Sequence, residues 1–499
     1  MKRVVPLVMC AASVAAALGI GTPAIGQDAQ GQPAAGHEPS GIEAAAAMED
    51  VLIKAIAAAE RSVVAIARVA RDDNQPIDTL GDTFNRLRPS PPPRPGDPEF
   101  IPNEYATGVV VEGGLILTAN HVLREDCDYW VTTAGRKTYK VSRIRGADPR
   151  SDLAVLQVDA PDLKPIRFGD TSKLKKGQIV IALGNPYAIA RDGEPSASWG
   201  IVSNLNRKYG PWFPERDERP GPARPTLPHY GTLIQTDAKL NLGTSGGALL
   251  NLKGEMIGLT VSLAAALGYE QSAGFAIRVD DTFHRALDAL KQGSEVEYGF
   301  LGVSLPLPTD PRLRAMGGAV VQGTLEGTPA GRSLLQRDDV ITHVNDTPVL
   351  EPDDLLLHVG KLPPEASVRL TVERDGQVET VIIPELSKYA VTRKKIVTNR
   401  PPAWRGVRVD FVTASPNLQA LAEQRRIDPQ GSVLITEVEE NSPAWKEGLR
   451  PEMMISHVGG QRVTTPREFR AAVAGESGPV KLRLSPPMER QEWTIPPEA

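Results

Sequence analysis

Short, β-rich runs follow one another at close spacing between Thr107 and Val279, separated by glycine, asparagine and aspartate. They include GVVVEGGLILTANHV, YWVTTAGRKTYKV, LAVLQVD, QIVIALG and ALLNLKGEMIGLTVS. Runs of this length that are rich in β-branched side chains and bounded by turn residues are typical of strands. Many such runs in succession predict a mainly β domain, either an antiparallel barrel or a sandwich.

The flanks of this β-rich region predict a helix at 44–59, a strand at 62–69 and a second helix at 280–292. Two proline-rich segments, 72–102 and 209–230, interrupt the pattern. Proline cannot donate a hydrogen bond to a strand ladder, so both segments are predicted to be loops.

The last two hundred residues contain an internal repeat. The sequence TPA at 328–330, followed by DDVITHVNDTPV at 338–349, recurs as SPA at 442–444 and EMMISHVGGQRV at 452–463. Both pieces are displaced by the same number of positions, so two copies of one module are predicted, separated by a polar, basic linker near 386–402.

The composition excludes some functions and leaves others open. The 499 residues are enough for about three domains. Because 56 basic and 61 acidic residues nearly balance, there is no electrostatic reason to expect nucleic acid as a partner.

The N-terminus has the layout of a secretory signal peptide. Basic residues at positions 2 and 3 precede an apolar run to about Ile20, and small residues precede Gln27. We expect a cleaved signal at 1–26 and a disordered leader at 27–42; an uncleaved membrane anchor is the alternative. Cys10 follows a bulky methionine, which disfavours a lipid anchor. Cys127 alone would remain in the mature chain, which excludes an intramolecular disulfide.

Peptide hydrolysis needs a nucleophile, a base, a group that orients the base, and donors for the oxyanion. His121 lies in LTANHV, where a buried strand ends and a loop or short helix begins. Asp152 precedes an apolar strand in SDLAVL, whereas Asp148 lies in a GADP turn and is expected to be solvated. These residues predict a base, His121, and its partner, Asp152.

Ser245 is the candidate nucleophile. It lies in GTSGG, where the flanking glycines allow the backbone unusual dihedral angles and close approach to a substrate. The amides of Gly243 and Ser245 are therefore the candidate oxyanion donors, each typically worth about 3 to 4 kcal/mol of transition-state stabilisation.

The same five residues also fit the Gly-x-Ser-x-Gly elbow of lipases and esterases. That elbow requires a helix directly after the serine and a catalytic histidine last in the chain. Here the sequence after Ser245 predicts a hairpin with its turn at Lys253 and Gly254, and the order is His121, Asp152, Ser245. The order and the hairpin favour a trypsin-like peptidase over an esterase.

From about residue 43 to its end the chain resembles the HtrA (Deg) family of envelope serine proteases. The matching motifs are TANHV, SDLAVL, GIVSNLNR, IQTDAKLNLGTSGGALLNLKGEMIG and GFAI. The resemblance implies a chymotrypsin-like double β-barrel and two α+β PDZ domains. It also implies an ATP-independent endopeptidase for unfolded or misfolded proteins, no cofactor, and oligomers built from trimers. The implied domains are a protease at 43–293, a first PDZ domain at 298–388 and a second at 403–499.

The resemblance also implies a substrate pocket lined by Leu240 and Leu263, from which we expect a medium aliphatic residue before the scissile bond. Two positions depart from the family pattern. Leu242 stands where proline is common, and Thr244 stands where asparagine is common. Both lie beside the predicted oxyanion donors, so the resting conformation of this loop is left open.

The first repeat opens with a sequence similar to the carboxylate-binding loop of PDZ domains: Phe300, Leu301, Gly302 and Val303. Backbone amides in such a loop bind a peptide C-terminus while the peptide adds as a β-strand. The second repeat has WRGV at 404–407 instead, and an insertion lengthens it. A peptide-binding role and a purely structural role both remain open for this copy.

No metal site is predicted. His343 and His457 recur at equivalent repeat positions, but each lies alone in a strand-like run without a second ligand at metal spacing. The alternative to a protease is a non-catalytic or weakly active chaperone or scaffold that keeps the barrel. The presence of all three triad residue types favours the enzyme.

Overall fold

The computed structural model describes the chain in ten stretches. These are residues 41–70, 104–124, 126–185, 193–207, 233–261, 274–306, 317–391, 393–424, 426–485 and 492–498. The predicted signal peptide, both proline-rich loops and Leu263 lie outside them. The chain divides into a short unit, Met1–Met48, whose described residues are helical, and a large unit, Glu49–Ala499.

Six antiparallel strands form a first closed barrel. They are β1 (Val63–Ala70), β2 (Glu104–Glu112), β3 (Leu115–Ala119), β4 (Cys127–Thr133), β5 (Thr138–Asp148) and β6 (Leu153–Val158). They pair in the order β5-β4-β1-β2-β3-β6, and pairing of β5 with β6 closes the barrel. Helix α1 (Gly41–Ala59) precedes β1 and begins three residues before the predicted helix.

A second closed barrel follows. Its strands are β7 (Ile179–Gly184), β8 (Ser196–Arg207), β9 (Leu233–Thr236), β10 (Ala248–Leu250), β11 (Met256–Val261) and β12 (Gly274–Arg278). They pair in the order β10-β11-β12-β9-β8-β7, and β10 closes onto β7. One apolar cluster includes Ile66 and Leu117 of the first barrel with Leu183 and Leu259 of the second, so the barrels pack directly against each other. The predicted double β-barrel is confirmed.

Helix α2 (Asp281–Gln292) leaves the second barrel. Asp280 caps its first turn by accepting a hydrogen bond from the amide of Phe283 at 3.0 Å, and Gly293 ends it at φ 74°. A left-handed residue after the last turn is where glycine costs least. Phe283, Leu287 and Leu290, the apolar positions at helical spacing, are all buried, as an amphipathic helix requires.

The first C-terminal module is a small α+β unit with its own apolar core. Its elements are β13 (Gly299–Phe300), β14 (Val303–Ser304), β15 (Ala319–Val320), β16 (Gly323–Thr324), β17 (Val340–Val344), β18 (Thr347–Pro348), α3 (Pro352–Gly360), β19 (Val368–Arg374), β20 (Gln377–Ile383) and β21 (Ser387–Lys388). A two-residue strand, β22 (Ile396–Val397), follows it.

The second module also has its own core. Its elements are β23 (Val407–Phe411), α4 (Leu418–Glu423), β24 (Val433–Val438), α5 (Pro443–Lys446), β25 (Met454–Val458), β26 (Gln461–Arg462), α6 (Pro466–Val473), β27 (Val480–Leu484) and β28 (Glu492–Ile495). Helix α4 lies in the insertion that lengthens this copy relative to the first.

The two modules share backbone contacts at equivalent positions. The amide of Ala330 donates to the carbonyl of Leu301 at 2.8 Å, and the amide of Ala444 donates to that of Arg405 at 3.3 Å. Helices α3 and α6 each start with a proline, and each has a carboxylate three residues after the cap that accepts from the cap amide at 3.2 Å. These contacts align the opening loops of the two copies.

The segment predicted as a linker, 386–402, contains two paired strands. Strand β21 pairs with β13, and β22 pairs with β5 of the first barrel, with Ile396 opposite Ala147 and Val397 opposite Gly146. The segment connects the two modules, but its two pairings were not predicted, because strands of two residues leave no periodic pattern for sequence analysis to detect. The chain therefore returns to the first barrel after completing the first module.

A buried lysine lies where the modules meet the end of α2. Lys388 is 3% exposed, and its ammonium lies 2.6 Å from Asp410, 3.1 Å from Glu295 and 3.1 Å from Glu297. Burial alone would lower the pKa of Lys388, but the three carboxylates outweigh it and raise the pKa above its usual 10.5. The ammonium therefore stays charged in the fold.

Replacing Lys388 by methionine should lower the free energy of unfolding by about 1 to 3 kcal/mol, because it removes the cation that three partly exposed carboxylates share, although Lys395 still pairs with Glu295. Urea denaturation at neutral pH measures the change, with Lys176→Met at an exposed position as the control. Since the pKa is raised in the fold, this contribution is complete below pH 10.5 and is lost as the pH rises further. Equal stability of the two variants would contradict this account.

Candidate active site

His121 and Asp152 lie at the ends of two paired strands. His121 is in a single 3-10 turn, Asn120–Val122, directly after β3, and Asp152 directly precedes β6. Ala119 pairs with Leu153, so the antiparallel register brings the two residues together. The imidazole Nδ1 of His121 lies 2.6 Å from Oδ2 of Asp152, and the amide of His121 donates to Oδ1 at 2.8 Å.

The two side chains differ in exposure. The Asp152 carboxylate is 4% exposed, whereas the His121 imidazole is 40% exposed. Burial would lower the pKa of His121, but the hydrogen bond and the charge of Asp152 outweigh it and raise the pKa above the usual 6.5. The buried carboxylate of Asp152 thus orients the imidazole of His121, and the imidazole remains partly exposed to solvent.

Ser245 lies in the loop between β9 and β10, and this loop packs against the first barrel. The amide of Thr107 in β2 donates to the carbonyl of Ser245 at 3.0 Å. A Cβ added at Gly246 would clash with the carbonyl of Thr107 and would lie 3.2 Å from the amide nitrogen of Ala119. The structure therefore places the serine beside the end of β3, where His121 follows.

Gly243 has the conformation that the loop requires of a glycine. Its φ is 93°, a left-handed value that other residues rarely adopt. Its amide donates no hydrogen bond to any other part of the described chain. The hydroxyl of Thr244 donates to the carbonyl of Asn241 at 2.7 Å, while Leu242 is 51% exposed. The two residues that depart from the family pattern are thus accommodated without blocking the Gly243 amide.

The segment after Ser245 is a hairpin, as predicted. Strands β10 and β11 pair antiparallel, and the turn contains Gly254 at φ 71°. No helix follows the serine, so the nucleophile elbow of an esterase is absent from this described segment.

Leu240 borders a cleft of about 160 Å³ beside the Ser245 loop. The cleft is also lined by Gly184, Ser196, Asn241 and Thr244, among others. The side chain of Leu240 lies over Gly274, where an added Cβ would be 2.7 Å from its Cδ1. Leu263, the other predicted pocket residue, lies outside the described residues.

The carboxylate-binding loop predicted in the first module has available backbone donors. The carbonyls of Leu301 and Gly302 accept from the amides of Ala330 and Leu325 at 2.8 and 2.9 Å. The amides of Leu301 and Gly302 donate to no other group in the described part of the chain. Gly302 has φ 91°, and a Cβ there would clash with Thr328. Phe300 and Val303 flank these amides in β13 and β14.

The equivalent loop of the second module is held by an arginine. Arg405 is 4% exposed and donates to the carbonyls of Ile495, Glu476 and Gly478 at 2.6, 2.8 and 2.6 Å. Arg405 thus takes the position that the buried apolar side chain of Leu301 has in the first copy, and its guanidinium holds the loop by hydrogen bonds.

Asp148 is buried, so the prediction that it is solvated is wrong. It is 3% exposed and accepts from the amide and hydroxyl of Ser151 at 2.7 and 2.6 Å, and from the hydroxyl of Tyr298. Burial raises the pKa of Asp148 in spite of these hydrogen bonds. The turn residues around it resembled a surface turn, but Tyr298 covers it from 150 positions away in the sequence.

Sequence reasoning missed two buried threonines that contact the Ser245 loop. Thr107 in β2 and Thr260 in β11 are both 0% exposed and donate to carbonyls of this loop. The available sequence signal for each threonine is one hydroxyl within a run of β-branched residues. This signal does not identify the carbonyl that the hydroxyl binds.

Among the described residues, no three His, Cys, Asp or Glu side chains are grouped so that they would hold a metal ion. The helices that the structure describes include none that is long and apolar enough to cross a membrane.

The comparisons with known proteins agree with the double barrel and the serine loop. Residues 106–259 match the trypsin-like peptidase domain family, and residues 299–384 match the PDZ domain family. The fold, the peptidase match and the curated relatives of the chain define its class: it is a serine endopeptidase of the trypsin-like type.

Several curated relatives carry the name "Probable periplasmic serine endoprotease DegP-like". The one from Pseudomonas fluorescens is 32% identical over 404 residues, covering 78% of each chain, and the one from Brucella suis is 30% identical over 398 residues, covering 78% of this chain and 71% of that one. The chain belongs to the DegP-like, or HtrA, family of serine proteases. Among solved structures, an HtrA-type protease titled "AlgW with decapeptide" is 24% identical with a TM-score of 0.48, covering 70% of this chain and 99% of that one.

Proposed function

We propose that His121 acts as the general base, Asp152 orients it, and Ser245 attacks the scissile carbonyl. The contact of 2.6 Å between His121 Nδ1 and Asp152 Oδ2 carries this proposal. It favours the tautomer with a proton on Nδ1, so Nε2 is left to accept the serine proton. The amides of Gly243 and Ser245 hold the oxyanion of the tetrahedral intermediate.

The protons balance over two half-reactions. As Ser245 Oγ adds to the carbonyl carbon, its proton passes to His121 Nε2, which then gives it to the leaving amine. Water next attacks the acyl-enzyme, giving one proton to His121, which returns it to Ser245 as the acid product leaves.

The test is to incubate the purified protein, without residues 1–26, with unfolded casein and with a fluorophosphonate probe over a range of temperatures. We expect casein fragments to appear and mass spectrometry to locate the probe on Ser245. If casein stays intact and no serine is labelled at any temperature below unfolding, the chaperone alternative replaces this proposal.

The proposed substrates are unfolded or misfolded proteins in the bacterial periplasm. The names of the relatives support the compartment. The N-terminal sequence supports export by a signal peptide at 1–26, with an uncleaved anchor as the alternative. Edman sequencing of the protein from the periplasmic and the membrane fractions distinguishes them, because a cleaved chain begins near Gln27 and an anchored one stays in the membrane fraction and does not.

We expect Leu240 to help select a medium aliphatic residue before the scissile bond. Leu240→Ala should enlarge the pocket and shift the preference toward larger side chains by about 10-fold, since a missing methylene is worth about 10- to 200-fold. Mass spectrometry of casein cleavage sites measures the preference, with Leu334→Ala at an exposed position as the control. An unchanged profile would remove Leu240 from the pocket.

The first module is proposed to bind peptide C-termini at Leu301 and Gly302, and the second module is proposed to be a second PDZ domain. The shared contacts of the two opening loops support this assignment. Titration with one peptide as its free acid and as its C-terminal amide tests binding, because only the free acid supplies the carboxylate. Equal affinity for both forms would exclude carboxylate capture.

Oligomers built from trimers are also proposed, on the resemblance to the family alone. Light scattering of the purified protein tests this proposal. A particle mass that is not a multiple of three chains would contradict it.

A further inference from the structure

Three consecutive carbonyls of the Ser245 loop are each held by a buried threonine. Thr107 Oγ1 donates to the carbonyl of Gly243 at 2.7 Å, and the amide of Thr107 donates to that of Ser245 at 3.0 Å. Between them, the carbonyl of Thr244 accepts from Thr260 Oγ1 at 2.6 Å and from the amide of Gly247 at 3.0 Å. The peptide planes on both sides of the proposed nucleophile are therefore fixed from outside the loop.

The direction of the hydrogen bond from Thr107 follows from its partners. Its hydroxyl oxygen accepts from the amide of Asn185 at 2.9 Å, and a carbonyl only accepts, so the single hydroxyl proton must point to Gly243. Thr118 Oγ1 in turn donates to the carbonyl of Thr107 at 2.8 Å. Because Thr107 is 0% exposed, water does not compete for these groups.

The Thr107 hydroxyl acts on Gly243, one of the glycines of the loop. Glycine adopts left- and right-handed backbone conformations with little difference in energy, so the peptide planes that flank Gly243 rotate easily unless something holds them. A hydrogen bond to the Gly243 carbonyl fixes the plane on its carboxyl side. It thereby restricts the direction in which the Gly243 amide points, since φ and ψ of one residue relate the two planes.

We propose that Thr107, a residue of the first barrel, is a positioning residue for the Gly243 oxyanion donor, which the second barrel carries. It does not touch the substrate. It keeps the amide of Gly243 directed at the place where the negative charge develops, whereas the peptide plane that carries the Ser245 amide is held by Thr260 through the Thr244 carbonyl. This inference rests on the proposed function, because it presumes that these amides hold the oxyanion.

The test compares Thr107→Val, which has nearly the same shape without the hydroxyl, with Thr107→Ser, which keeps the hydroxyl. In T107V we expect kcat to fall about 10- to 100-fold, less than the roughly 10²- to 10³-fold loss caused by deleting a donor outright. KM should change by less than about twofold, because the oxyanion forms only in the transition state. T107S should keep kcat within about threefold of the unchanged protein.

A second readout reports on the oxyanion site itself. The inhibition constant of a peptide boronic acid, built on the best-cleaved casein site, should rise in T107V in proportion to the loss of kcat/KM, because the boronate adduct resembles the tetrahedral intermediate. The control is Thr171→Val, which removes another buried hydroxyl, one that donates to the carbonyl of Val279 at 2.6 Å, away from the loop. If T107V does not fold, Thr107→Ala takes its place.

The outcomes separate the two proposals. A protein that without substitution neither cleaves casein nor reacts with a fluorophosphonate contradicts the proposed function. An active protein whose T107V variant has unchanged kcat and boronate affinity contradicts the role of Thr107 alone. Equal losses of kcat in T107V, T107S and T171V would likewise show that Thr107 has only a structural role.

Discussion

Replacing Ser245 by alanine should lower kcat for a casein-derived peptide by about 10⁶-fold and abolish labelling by a fluorophosphonate. The reason is that triad residues act as a unit, so removing the nucleophile alone costs about as much as removing the whole triad. The residual rate comes from the oxyanion donors and from substrate binding, which the substitution leaves in place. Short assays of peptide cleavage by the unsubstituted protein and long incubations with the variant together cover this range of rates.

The control for Ser245→Ala is Ser142→Ala, which removes an exposed hydroxyl on the first barrel. It should leave kcat unchanged. Both variants should unfold at the temperature of the unsubstituted protein, since Ser245 contributes little apolar area. Substantial cleavage by Ser245→Ala after removal of contaminating proteases would mean that another residue is the nucleophile.

Replacing Asp152 by asparagine should lower kcat by about 10⁴-fold. The amide would favour the tautomer of His121 that has its proton on the wrong nitrogen, while the hydrogen-bond geometry is kept. Asparagine is the suitable substitution because Asp152 has φ 55°, a left-handed conformation that asparagine tolerates better than alanine.

The same variant should change the pH dependence of the residual activity. His121 acts as a base only when it is neutral, so kcat/KM falls as the pH drops through its pKa, which Asp152 raises above 6.5. Without the carboxylate charge the pKa falls, and the acid limb of kcat/KM should move to lower pH. Rate profiles of Asp152→Asn and of the exposed control Asp159→Asn measure the shift. A limb that stays in place would show that Asp152 does not set the pKa of His121.

The parts of the fold and site that could be predicted are those with local signatures. His121 and Asp152 each lie at the boundary of an apolar run, and such boundaries become strand ends whose register then brings the side chains together. The glycines around Ser245 indicated a loop with unusual dihedral angles, and Gly243 has one. The repeat could be detected because turn and cap residues recur in order along both copies.

The parts that could not be predicted depend on contacts between distant segments. Asp148 looked like a turn residue because nothing nearby in the sequence indicates that Tyr298 will cover it. Thr107 lies 136 positions before the carbonyl that its hydroxyl binds, so its role has no local pattern. The charge of Arg405 predicts a position on the surface. The side chain is buried instead, where its guanidinium donates to three backbone carbonyls near the C-terminal end of the second module.

The pairing of β22 with β5 affects how this protein can be divided. A fragment that ended at Gln292 would remove Ile396 and Val397 from the sheet and leave one edge of β5 unpaired at Gly146 and Ala147, whose other edge still pairs with β6. An exposed strand edge of this kind favours association with another chain. The shortest piece that keeps this edge of β5 covered therefore extends past Val397 and carries the whole first module with it.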